Sequence, residues 1–149
     1  MRLLYSLAIA ISMYSKIPVP MVDWNEKNMK YAMCFFPVVG VITGLLQAGA
    51  GYLILQYTSF GKLFFAAVMT LIPVLVTGGI HLDGYADTID ALSSYGDREK
   101  KLQILKDPHT GAFAVIGLCV YFAAALALWS EADVRMLPLT ACIYPFSRS

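Results

Sequence analysis

The sequence predicts an all-α fold: a polytopic bundle of transmembrane helices forming a single integral-membrane domain over residues 1–149. Two observations carry that prediction. Of the 149 residues, 58% are hydrophobic and only 14% are charged, against roughly 25% charged in an ordinary soluble domain. Three runs, Tyr31 to Tyr57, Leu63 to Leu82 and Pro108 to Ser130, contain no Asp, Glu, Lys or Arg, and about 20 mostly apolar residues suffice for a helix to cross a bilayer.

Taken in order, the elements follow from local chemistry. Leu3 to Ser15 is apolar but short, which fits a tilted or interfacial helix. Met13 and Tyr14 stand where a signal-peptide cleavage site wants small residues, so that alternative is the weaker one. "KIPVP" cannot continue a helix, because Pro18 and Pro20 each lack an amide donor and restrict the residue before them. In the first long run Gly40 and Gly44 stand four apart, the spacing that lets helix backbones approach closely in lipid, and Gly49 and Gly51 extend that small-residue surface. Pro37 and Pro73 begin or kink their spans. "GDREKKLQILKD" predicts a short amphipathic helix with Asp97 as N-cap and Leu102 and Leu105 on its buried side. Asp107, before Pro108, reads as the cap of the next span. Met136 to Ser147 is an apolar run that reads as a span cut short, so the chain is expected to be the N-terminal portion of a longer protein truncated at its C-terminus.

Charge sets the orientation and excludes some partners. The net charge is +1, which gives no basic surface for nucleic acid. Cys34, Cys119 and Cys142 are isolated in apolar runs and read as packing residues, neither zinc ligands nor disulfides. Lys16, Lys27 and Lys30 lie in one polar segment, and Arg98, Lys100, Lys101 and Lys106 in another. Two spans separate these segments, which puts them on one side, and the positive-inside rule makes that side cytoplasmic.

The stretch "GGIHLDGYADTID" then stands out, since it sets three carboxylates at the mouth of a span. In a helix, Asp87 lies about 40° from Asp83 and Asp90 about 20° the other way, so all three share one narrow face. Such a face needs positive charge. Magnesium, commonly held by one or two carboxylates together with substrate phosphates, suits it. Gly84 and Ala86 leave the surface between the acids bare for a diphosphate, and Arg98 and Lys106, with Lys100 and Lys101, lie downstream to neutralise it. The constellation is that of a phosphoryl-transfer site. Against this, a mixed-charge loop is usually a solvated connector, the better reading for Asp97, Glu99 and the lysines. His81 is a proton carrier or merely a hydrogen-bond partner of a carboxylate.

At these residues the chain resembles the cobalamin synthase family, the adenosylcobinamide-GDP ribazoletransferases. The carrying motif is "GGIHLDGYADTIDAL", supported in order by "SKIPVP", "FFPVVGVITG" and "LKDPHTGAFAVIGL". The resemblance implies a multi-pass enzyme of the bacterial inner membrane that requires Mg2+, and the charge count above puts its motif on the cytoplasmic side. Its substrates would be adenosylcobinamide-GDP and α-ribazole or the 5′-phosphate of α-ribazole, and its product besides the cobamide would be GMP. Carried over by position, Asp83, Asp87 and Asp90 would hold metal and diphosphate, with His81 and Asp107 behind them or as proton-transfer candidates; Gly84, Arg98 and Lys106 are assigned toward substrate by their own spacing and charge. Beyond substrates and the lipid bilayer, a second copy of the chain stays open as a partner. Many members have Asp-Ser-Arg where this chain has Asp107, Pro108 and His109, and members continue through further spans. Two rivals remain. CDP-alcohol phosphotransferases also use spaced aspartates on membrane helices, but with Arg where this chain has Asp87. A cation pathway would place acids within several spans, whereas the three long runs here have none.

Overall fold

The structure, a computed structural model, describes residues 2–148, apart from the side chains of Arg2 and Glu26. Among the described residues there are helices and no strand. They are α1 (Arg2–Tyr14), α2 (Glu26–Met29), α3 (Phe36–Tyr57), α4 (Lys62–Thr77), α5 (Ile80–Ser93), α6 (Arg98–Ile104), α7 (Ala112–Ser130) and α8 (Leu137–Phe146), with single 3-10 turns at Met33–Phe35 and Val134–Met136. The helical stretch Lys27–Tyr57 and α7 are long and apolar enough to cross a membrane. A third crossing exists only if α4 and α5 form one bent span, because their axes meet at 96°.

That bend corrects the expected Leu63–Leu82 span. Gly78 and Gly79 both take positive φ, 65° and 81°, a region that costs residues with a Cβ energy and glycine nothing. Gly78 closes α4 with its amide aimed at Leu75 and Val74 carbonyls, and Gly79 opens α5. The 16-residue α4 is therefore only about 24 Å long. α1, with 13 residues, is about 20 Å, short of the ~30 Å hydrocarbon core. It packs on α2 and α3 through Ile9, Ala10 and Ala32, and the Ser6 hydroxyl donates to the Asn28 carbonyl at 2.6 Å.

The bundle is closed by small residues. α3 packs most extensively on α8, and a Cβ on Gly40 or Gly44 would lie 2.6–2.8 Å from the Tyr144 or Thr140 carbonyl oxygen, so the two backbones touch. Gly51 continues the contact toward Leu137 and Met69, but Gly49 faces open space and does not belong to that surface. Phe65, Met69 and Leu137 form the second core, between α4 and α8. Pro37 starts α3, and Pro73 lies inside α4.

Asp97 caps α6 as expected, accepting from the Lys100 amide at 2.9 Å. Leu102 and Leu105, expected to be buried, are exposed at 47% and 43%. The reason is that α6 packs extensively only on α5, which leaves its apolar side uncovered. Asp107 does not cap α7 either. The helix starts five residues later with Gly111 at its N-cap, and the intervening turn takes Asp107 for itself.

Candidate active site

The Gly78–Gly79 corner turns the start of α5 into one wall of a cavity of about 360 Å3, and α7 supplies the other. Asp83 and Asp87, one helical turn apart, both line it, together with Thr110, Leu118 and Phe122. α5 is held against α7 by the Tyr85–Tyr121 ring pair, 5.8 Å between centroids, and by Ile89 seated on Gly117. The side chains of Asp83 and Asp87 are exposed and make no hydrogen bond or ion pair within the described chain. Two carboxylates on adjacent turns thus repel with nothing in the described chain to compensate them.

Asp90 goes elsewhere. It is half-buried, and its carboxylate packs directly on Gly111, where any Cβ would overlap it. Gly111 is the N-cap of α7, whose first amides have no side-chain partner, and the positive end of a helix favours a negative group placed there. The expected trio is therefore split into a pair facing the cavity and a third acid at the α7 terminus. Consistent with that split, among the described residues no three His, Cys, Asp or Glu side chains converge on a point that would hold a metal ion. The pair still fits a magnesium ion whose remaining ligands come from phosphate and water, which is how that ion is usually bound in phosphoryl-transfer sites.

The structure brings neither His81 nor Asp107 into this cavity. His81 is two residues from Asp83, about 200° around the helix, and lines a separate cavity of about 390 Å3 with Phe36, Tyr85, Tyr121, Tyr144 and Arg148. Asp107 Oδ1 accepts from the His109 amide at 2.9 Å and lies 2.7 Å from His109 Nδ1. The amide bond first, and the imidazole contact second, hold the Asp107 carboxyl below its ordinary value. Gly84, Arg98 and Lys106 are exposed and line neither cavity. A Cβ on Gly84 would meet nothing within 4 Å, so the surface beside Asp83 is bare. Lys101 is used structurally, its Nζ donating at 3.1 Å to the Leu92 carbonyl in the last turn of α5.

Sequence reasoning missed two residues here, one lining the cavity and one crossing its Gly78 wall. Thr110 lies within "LKDPHTGAFAVIGL", and only the α5–α7 packing shows that it lines the acidic cavity. Lys16 belongs to "SKIPVP", some sixty residues upstream, yet its amide donates to the Val76 carbonyl at 2.8 Å and its side chain crosses Gly78. No local pattern announces a contact of that range.

The family model described as Cobalamin-5-phosphate synthase matches residues 6–149. A protein of Lachnoclostridium phytofermentans named adenosylcobinamide-GDP ribazoletransferase is 46% identical, with 100% of this chain and 57% of that protein covered. Proteins of the same name from Clostridium botulinum and Chlorobium phaeobacteroides are 39% and 44% identical, over 81% and 78% of this chain and 48% and 45% of their own. The chain thus spans about half the length of the curated relatives it matches. No solved structure matches it.

Proposed function

The chain belongs to the cobalamin-5-phosphate synthase family, and from that premise we propose that the intact protein is a phosphotransferase of the bacterial inner membrane. It transfers the cobinamide phosphate group of adenosylcobinamide-GDP to α-ribazole or its 5′-phosphate and releases GMP. The observation that carries this reading is the pair Asp83 and Asp87, two carboxylates without a cation partner among the described residues, lining one cavity at a helix corner. In the reaction a ribose hydroxyl oxygen that is free in both α-ribazole and its 5′-phosphate forms a bond to the phosphorus that carries cobinamide. The bond from that phosphorus to the bridging oxygen breaks, GMP leaves with its electron pair, and the hydroxyl proton is lost.

The chain's own residues have definable tasks in that reaction. Asp83 and Asp87 would hold Mg2+, which when bound would offset the charge of the diphosphate and of the departing GMP. The Thr110 hydroxyl, in the same cavity, is available to hydrogen-bond a phosphate oxygen. Bare backbone at Gly84 leaves room for substrate beside Asp83. Asp90 holds the start of α7 against α5, which keeps Thr110 opposite the carboxylate pair.

The test uses the full-length protein in lipid nanodiscs with Mg2+, adenosylcobinamide-GDP and α-ribazole, following GMP release. Asp87→Asn is expected to lower the rate by roughly 100-fold or more, the scale set by losing one electrostatic stabiliser in a preorganised site. Absence of release by the wild type rejects the reaction, and an unaffected Asp87→Asn rejects the site. Release of CMP from a CDP-alcohol would select the rival phosphotransferase class.

A further inference from the structure

We propose that Lys16 is a substrate-binding residue whose ammonium group receives a phosphate of a diphosphate diester at the rim of the Asp83–Asp87 cavity. The inference rests on the reading above for the identity of that ligand and on three observations for the residue. First, Lys16 is fixed at the corner from outside it: its backbone amide donates to the Val76 carbonyl at 2.8 Å, which straps the "SKIPVP" segment across the end of α4. Second, its side chain runs over Gly78, where a Cβ would lie 2.6 Å from Lys16 Cγ and 2.5 Å from Lys16 Cε, and Gly78 is itself a wall of the acidic cavity. Since Nζ is one bond beyond Cε, the ammonium stands beside Gly78, outside the lining of the cavity itself. Third, Lys16 is exposed and forms no ion pair or side-chain hydrogen bond within the described chain.

These observations combine into a division of labour at the corner. A lysine that served only to neutralise the carboxylates would be found paired with one of them, and among the described residues Asp83 and Asp87 have no such partner. One used only for packing would not need its charge. An unpaired cation at the same helix corner as an unpaired pair of carboxylates is suited to a ligand that carries metal and phosphate together, with the carboxylates toward the metal and the ammonium toward a phosphate oxygen. The left-handed conformation at Gly78 serves the same end, since only a residue without Cβ lets the lysine stem cross the chain there.

The experiment compares full-length wild type, Lys16→Met and Lys16→Arg in nanodiscs, measuring adenosylcobinamide-GDP binding by equilibrium dialysis, GMP release, and the unfolding temperature. Methionine keeps an unbranched stem over Gly78 and removes the charge. Lys16→Met is expected to bind about 10-fold more weakly or worse, with an unchanged unfolding temperature, and Lys16→Arg to restore most of the affinity. The proposal is overturned if Lys16→Met binds as tightly as wild type, if its affinity and unfolding temperature fall together, or if the wild type does not bind the ligand. Unaltered binding by Lys16→Met with normal GMP release would remove Lys16 and leave the reaction standing. Lys16-dependent binding without any GMP release would do the reverse.

Discussion

Pro73 carries no amide hydrogen, so the carbonyl of Met69 one turn earlier has no donor inside α4. Gln47 of α3, fully buried, supplies one: its Nε2 donates to the Met69 oxygen at 2.5 Å. A side chain thus repairs a helix that proline interrupts and ties α3 to α4 in the same bond, which membrane helices allow because neighbouring helices re-satisfy freed backbone groups. Substitutions at the two residues are therefore expected to be non-additive. Gln47→Leu alone leaves the Met69 carbonyl without a partner and is expected to cost about 1–3 kcal/mol. With Pro73→Ala present, the restored backbone amide at that position takes over, and the same Gln47→Leu change should cost at least about 1 kcal/mol less. Thermal unfolding of the four proteins of this cycle measures the coupling, and purely additive losses would mean that the two residues act independently.

At the scale of the element, the contact between α3 and α8 is made where side chains are missing. Gly44 offers no Cβ and lets the Thr140 carbonyl come to its surface, whereas Gly49, a turn and a half further along the same helix, faces nothing. Gly44→Leu is therefore expected to force α8 off α3 and lower stability by about 1–3 kcal/mol or more, while Gly49→Leu leaves it nearly unchanged. Unfolding temperatures of the two variants in one detergent test this, and equal losses would show that glycine matters for some reason other than the crossing. The four-residue spacing of Gly40 and Gly44 made this surface legible in the sequence, as Asp97 made the start of α6 legible, since both signals are local. The corner at Gly78 was only partly so, because hydropathy runs unbroken to Leu82 and a double glycine interrupts it without adding charge. Asp90 against Gly111 and Lys16 over Gly78 were not legible at all. Each depends on two segments meeting that lie far apart in sequence, and helical winding predicts which residues share a face without saying what that face will touch.

At the scale of the whole molecule, the strap from Lys16 to Val76 fixes a topological relation that charge counting only suggested. The segment after α1 and the α4–α5 corner are in contact, so they lie on one side of the bundle. α3 and α4 run between them, and the connection at residues 58–61 therefore lies at the opposite end. Lys16, Lys27, Lys30, Arg98, Lys100, Lys101 and Lys106 all belong to the segments that flank the corner, from which the positive-inside rule predicts a cytoplasmic side, where the proposed nucleotide-linked substrate would be met. Ser59 and Tyr95 are both exposed, Tyr95 at 91%, and give a direct readout once every native cysteine of the full-length protein, Cys34, Cys119 and Cys142 among them, is replaced by alanine. In spheroplasts, a membrane-impermeant maleimide should label Ser59→Cys at once and Tyr95→Cys only after permeabilisation. The reverse pattern would turn the carboxylate pair outward, away from nucleotides, and would defeat the proposed reaction however well the cavity is formed. Labelling of both from one side would instead mean that α4 does not cross, and that the 96° corner belongs to a re-entrant loop.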